Sequence, residues 1–253
     1  MTPLAAILAH VDELLEPERF DDYGPNGLQV PGADEVSTVV TGVTANRELL
    51  ERAAEHGADL VIVHHGLLWD FAPRRMSRAL AGRLRVLLEN DIALAMYHLP
   101  LDAHPEVGNN ALLANALGCE SSHSFAEHRG AAIGTAGRFA GDGVPAPELF
   151  ERVAEVTGRE PLVFDAGPGL VRSIGIVSGA AASSLAQAVE AGLDAFLTGE
   201  PAEHVMGEAR EAGIHFIAAG HYATETLGIR RLGETVAERF GVAHRFVDVP
   251  NPI

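Results

Sequence analysis

The opening stretch MTPLAAILAHVDELLEPERF sets His10, Asp12, Glu13 and Glu16 at helical spacing among apolar residues, which predicts an amphipathic first helix. From Thr38 the period changes. TVVTGVTANRELLERAAEHGADLVIVHHG reads as a β-branched strand, a helix of about a dozen residues ending at Gly57, and a second apolar strand. SIGIVSGAAASSLAQAVEAGLDAFLTGE, from Ser173 to Glu200, repeats that plan, with Gly42 answering Gly179, Gly57 answering Gly192 and Asp59 answering Asp194. NDIALAMYHLPLD resembles AGIHFIAAGHYATE in the same way, His98 answering His221 and Asp102 answering Glu225. The chain therefore reads as a duplicated α/β unit.

Strands such as LVIVHH and IALAMYH are apolar on both faces, as a sheet between two helix layers requires. The expected fold class is α/β, with two similar three-layer α/β/α domains. Residues 1–125 would carry the HHG and HLPLD motifs and residues 126–253 the GHxxTE motif, with the seam in SSHSFAEHRGA, where small and polar residues interrupt the period.

Composition narrows the function classes. The 253 residues carry 35 acids against 18 bases, a formal charge of -17, and every base is Arg. That argues against a sequence-independent grip on nucleic-acid phosphates or an anionic membrane. Without Lys there is no Schiff base, pyridoxal anchor or P-loop lysine. One cysteine, Cys119, leaves no internal disulfide and no Cys-rich zinc finger, and reads as a packed small residue at a helix end. No run reaches the roughly 18 to 20 apolar residues that span a bilayer. A cytoplasmic protein is expected. G-x-S-x-G and G-x-x-x-x-G-K are absent, and TGVTANRELL lacks dinucleotide-binding glycine spacing.

The 12 histidines matter by placement. His64 and His65 close the strand ADLVIV before Gly66, at the end where open α/β sheets keep their sites. Adjacent strand residues point to opposite faces, so the pair would address two neighbouring ions rather than one, unless it is simply hydrogen-bonded in a loop. In GHYATETLG, His221 and Glu225 share one face of a helix start, a spacing also common on solvated helices. In YHLPLDAH, Pro100 argues against a helical pairing of His98 with Asp102 and puts both on a loop. Asn26 and Gly27 read as turn chemistry, and Asn109 and Asn110 as caps for ALLANALG. His104, Glu200 and His204 are candidates for a pocket wall, whereas Trp69 and Tyr222 read as packing.

DDYGPNGLQV, ADLVIVHHGLLW, YHLPLDAHPEVGNNALLANALG, LTGE and GHYATETLG together resemble the Nif-three-like dinuclear-metal-centre proteins, known also as GTP cyclohydrolase 1 type 2 homologues. The resemblance runs from about residue 4 to the C-terminus and fits the short form, without an inserted domain. It implies a duplicated three-layer fold, a homohexamer, and two divalent metal ions held by His64, His65, Asp102, His221 and Glu225. Imidazole and carboxylate without thiolate suit zinc, iron, manganese or nickel. His98 is expected behind the ligands, hydrogen-bonding one of them or acting on a leaving group as the catalytic residue. The expected function is metal-dependent hydrolysis of a nucleotide or another small phosphorylated or ring-amide substrate. The alternative is a non-catalytic metal-binding hexamer that handles metal or binds a partner.

Overall fold

A computed structural model describes residues 1–73 and 75–253. The chain divides into two compact units, one of Met1–Leu101 with Ile229–Val249 and the other of Asp102–Gly228 with Pro250–Ile253. The seam expected near residue 125 is not where the chain divides. Residues 121–131 belong to a β-hairpin of the second unit, Ser121–His128 against Ala131–Arg138. Its outer strand leaves Ser121 to Ser124 exposed, so a solvated strand face had the look of a break in periodicity.

The first unit is built on a five-stranded sheet in the order 243–246, 38–44, 60–65, 93–96, 27–30. The first four strands run parallel and Gly27–Val30 is antiparallel to its neighbour. The helix Arg47–Glu55 starts where the Asn46 side chain accepts the Leu49 N–H at 2.8 Å, and Arg78–Glu89 where Ser77 accepts that of Leu80 at 3.1 Å. These helices bury Leu49, Leu50, Ala53 and Leu87 against Val40, Val61, Val63, Leu94 and Met96. The alternate strand positions Val39, Leu60, Ile62, Ala93 and Ala95 are also fully buried. That leaves the Leu4–Leu15 helix, with Ile7 and Val11, and the segment holding Ile229, Leu232 and Val236 to supply the other layer.

In the second unit six strands run in the order 162–164, 215–218, 195–198, 173–177, 131–138, 121–128. The three middle neighbours 215–218, 195–198 and 173–177 are parallel. Ile174, Ile176, Ala195, Leu197 and Ile217 pack with Leu113, Leu149 and Val153 on one side. Phe196, Phe216 and Ala218 pack with Leu185, Ala188, Val205 and Ala209 on the other. This is the three-layer α/β/α arrangement expected from the sequence.

Backbone register confirms the duplication and corrects its alignment. Asp59 Oδ2 accepts the Ser37 and Thr38 N–H groups at 2.8 and 3.0 Å and the Ser37 hydroxyl at 2.8 Å. Asp194 Oδ2 takes the N–H groups of Arg172 and Ser173 at 2.8 and 3.0 Å and the Ser173 hydroxyl at 3.2 Å. Gly42 pairs with Val63 as Val177 pairs with Thr198, so Gly42 answers Val177 and not Gly179. The Tyr97 N–H bonds to the Val63 carbonyl as that of Ala219 does to Thr198. His98 therefore answers Gly220, and His221 lies one residue further on. By the same count Glu200 stands where the other unit has His65.

Candidate metal centre

In both units polar side chains gather at the C-terminal ends of the parallel strands, the position an open α/β sheet leaves free of helix packing. In the first unit His64 is fully buried and His65 half-buried at the tip of Leu60–His65. His98 follows Ala93–Met96, and one ring nitrogen from each of the three lies within 4.8 Å of the others.

The hydrogen bonds fix which nitrogen His64 and His98 present. His64 Nδ1 lies 3.0 Å from the Tyr97 carbonyl, which only accepts, so Nδ1 donates and the lone pair sits on Nε2. His65 Nδ1 meets the Thr44 hydroxyl at 3.2 Å. His98 Nδ1 donates to Asp22 Oδ1 at 2.7 Å, with the carboxylate almost wholly enclosed. Asp22 also accepts from the Tyr23 N–H at 2.7 Å, the Asn26 amide at 2.9 Å and the Leu99 N–H at 3.0 Å. Burial alone would raise its pKa. The His98 hydrogen bond and charge outweigh that, with help from Asn26 and Tyr23, and bring the pKa down to about 2. Asn26 Oδ1 in turn accepts the His98 N–H at 2.8 Å. Asn26 is thus a clamp on His98 and not only a turn former. Trp69 packs edge-on against His98, ring centres 5.2 Å apart, and donates to the Gly66 carbonyl.

In the second unit Asp102 lies on a one-turn helix, Leu99–Ala103, not on the loop expected from Pro100. Proline in a first helical turn loses no intrahelical bond, which is why it is compatible here. Asp102 Oδ1 accepts from Asn109 Nδ2 and the Ser178 hydroxyl, each at 2.8 Å. Asn109 and Asn110 are not caps. Both are fully buried, and Gly108 begins their helix without a side-chain bond. Asn109 Oδ1 takes the Gly228 N–H at 2.7 Å, and Asn110 ties together the carbonyls of Asp102 and Ile133 and the Ser178 N–H.

His221 opens the short helix His221–Thr224, and the helix breaks at Glu225 before resuming at Thr226. The pairing read from their spacing nevertheless holds, with His221 Nε2 3.1 Å from Glu225 Oε1. His221 Nδ1 donates to Glu200 Oε1 at 2.5 Å. Burial by itself would lower the His221 pKa, but Glu225 and then Glu200 raise it to about 9. Glu225 is 2% exposed. Its carboxylate reaches that position because Gly179, at φ 68, has no Cβ; one would lie 2.5 Å from Oε1. A carboxylate oxygen of Asp102 lies within 4.8 Å of one of Glu225.

The sequence reading did not single out Asp22 or Ser178, and gave Asn26, Asn109 and Asn110 other work. Nothing local in DDYGPNG or SGA marks them. Their roles come from strand ends that fold back from elsewhere in the chain. Of the candidates for a pocket wall, His104 Nδ1 accepts the N–H groups of Glu106 and Val107 in its own turn, and His204 is exposed at a helix start. Glu200 is the one that supports a site residue.

The donor chemistry fits divalent ions. Imidazole and carboxylate oxygen are present, and His64, His98 and His221 each give Nδ1–H to a fixed acceptor, the arrangement that orients a metal-binding ring.

The sequence pattern of the Duf34/NIF3 family (NGG1p interacting factor 3) matches residues 2–252. A GTP cyclohydrolase 1 type 2 homolog of Pseudomonas aeruginosa is 45% identical over 249 residues, 98% of each chain. That of Escherichia coli is 43% identical over 243 residues, 96% of each. Among solved structures, a protein of unknown function called ybgI superposes over 100% of both chains with a TM-score of 0.94 at 42% identity. Reduced HcgD from Methanocaldococcus jannaschii matches 98% of both chains with a TM-score of 0.85, a likeness of fold at 23% identity.

Proposed function

The chain belongs to the Duf34/NIF3 family, and from that premise we propose that it is a dinuclear divalent-metal protein acting as a hydrolase on a nucleotide or another small phosphorylated or ring-amide substrate. The ligand set is His64, His65, Asp102, His221 and Glu225. What carries the reading is that Nδ1 of His64 and of His221 gives its proton to a fixed carbonyl or carboxylate, which leaves Nε2 as the atom for an ion; on His221 that atom meets Glu225 Oε1 at 3.1 Å, and an ion would take the place of its proton. The relatives' name, GTP cyclohydrolase 1 type 2 homolog, agrees with hydrolytic chemistry without fixing the substrate.

When bound, divalent ions in such a set polarise a phosphoryl or carbonyl oxygen and make water a nucleophile at neutral pH. The chain's own part is orientation and proton handling. Asp102 is held by Asn109 and Ser178 and His221 by Glu200, so both are positioned in advance, and His221 would have only to give up the proton it directs at Glu225. His98, gripped at Nδ1 by an ionised Asp22, is fixed with Nε2 as the atom that takes or gives a proton. The formal charge of -17 sets a background that disfavours polyanions. Small substrates neutralised at the site suit the chain better than nucleic acid.

The test is turnover of a nucleotide and phosphoester panel by protein loaded in turn with zinc, iron, manganese and nickel, with His65→Ala as control. Metal-dependent turnover lost in His65→Ala is expected. Tight metal occupancy without turnover of any substrate would leave the metal site and remove the hydrolase.

A further inference from the structure

Beside the Glu200–His221 pair the second unit holds an open hollow of about 490 Å³. Its walls include Arg159, Gly199, Glu200, Gly220 and Pro252. Arg159 follows Gly158, the left-handed end of the helix Ala146–Thr157, and lies over Gly220. A Cβ on Gly220 would sit 2.5 Å from Arg159 Nη1, and φ 96 there already favours glycine, so the backbone leaves this space to the guanidinium. Arg159 makes no ion pair among the described residues, although the chain has 35 acids. Its Nη1 donates to the Pro252 carbonyl at 2.5 Å. The next residue's carbonyl, that of Ile253, accepts the Tyr222 N–H at 2.9 Å. Residues 251–253 are exposed, and Pro252 and Ile253 lie along the hollow as a strap.

We propose that Arg159 is the recognition residue of an anion subsite that takes the phosphate group of a small phosphorylated ligand, with the Pro252 carbonyl a neutral stand-in that the phosphate displaces. A guanidinium has five N–H donors in a planar fork, and one carbonyl uses one of them. A phosphate can engage two at once, and charge-assisted bonds are roughly twice as strong as neutral ones. Of the two acids in the wall, Glu200 already has Oε1 committed to His221, and Glu160 is exposed to water. The volume exceeds what a phosphate alone needs and lies in the range of small-molecule sites, leaving room for an organic part. Resting on the reading of His221 as a metal ligand, the subsite would hold the phosphorylated end of the substrate beside the reacting centre.

Calorimetric titration with inorganic phosphate and with ribose 5-phosphate tests this on the full chain, on Arg159→Gln, on Arg159→Lys and on a chain lacking residues 251–253. Metal content is measured for each. Arg159→Gln should weaken ribose 5-phosphate at least tenfold with metal content unchanged, and Arg159→Lys should weaken it less. Removing 251–253 should tighten binding severalfold, and that gain should vanish when Arg159→Gln is added. Ribose 5-phosphate binding more tightly than inorganic phosphate supports a ligand with an organic part. Equal affinity in Arg159→Gln and Arg159→Lys to the parent, or no effect of the deletion, overturns the proposal. Arg159-dependent binding by protein that takes up no metal would overturn the metal reading alone. Binding abolished by EDTA but indifferent to Arg159 would overturn the subsite and leave the metals standing.

Discussion

Replacing Asp22 by Asn tests whether the His98 platform is electrostatic. The carboxylate receives His98 Nδ1–H, the Tyr23 and Leu99 N–H groups and the Asn26 amide. An amide of the same shape keeps one accepting oxygen and turns a donor toward two of those donors. Its pKa falls from an ordinary 3.8 to about 2 because these interactions outweigh burial. That drop corresponds to about 2.5 kcal/mol of folding stability. A carboxylate with a lowered folded-state pKa stabilises fully above its unfolded value, and the contribution is lost as pH falls through the folded value. The window is therefore roughly pH 5 to 2. At pH 7 Asp22→Asn should destabilise by about 2–4 kcal/mol, since it also leaves donors facing each other in an enclosed site. Urea unfolding of both proteins, with EDTA throughout, at intervals from pH 7 to 2.5 measures the gap between them. Groups with no tie to Asp22 titrate equally in both chains and cancel in the difference. Between about pH 5 and pH 2.5 the gap should narrow by roughly 1.5 kcal/mol. A gap that is small at pH 7, or the same at pH 3 as at pH 7, refutes the ionised Asp22–His98 clamp.

Four further outcomes are expected, three from the proposed metal site and the last, the hexamer, from the family resemblance alone. Protein purified without chelator should hold two divalent ions per chain by elemental analysis, and Glu225→Gln should lose at least one while keeping its far-ultraviolet circular dichroism; full occupancy in the variant would remove Glu225 as a ligand. Asp102→Asn should lose less metal than Glu225→Gln, measured in the same way. Glu200→Gln keeps an acceptor for His221 Nδ1–H but loses its charge, and should weaken metal affinity about tenfold in a competition titration. Light scattering at micromolar concentration should give the mass of a hexamer, and a monomeric mass would count against it.

The fold was legible because its signal is repeated. A β-branched strand, a helix closed by glycine and a second apolar strand occur twice, and paired Asp59 and Asp194 mark the same turn-back in both copies. What sequence comparison misjudged was alignment within the copies. Matching His98 to His221 by residue type sets the register one residue off, because chemistry need not occupy equivalent positions in a duplicated frame. Once the strands are aligned by their hydrogen bonds, His65 corresponds to Glu200, so one position at the end of equivalent strands carries a ring in one copy and a carboxylate in the other. Duplication supplied the scaffold and divergence the chemistry. Ligand candidates were visible as motifs because a metal selects residue types, whereas the residues that hold them were not. Asn110 looks like any residue at a helix start, and only its burial and its bonds to Asp102, Ile133 and Ser178 show what it does. Asn110→Leu should therefore destabilise by about 2–4 kcal/mol in urea unfolding, because the enclosed Ser178 N–H and two carbonyls lose their partner together. A Leu variant as stable as the parent would mean that these groups find other partners, and that Asn110 is as dispensable as its place in the sequence implied.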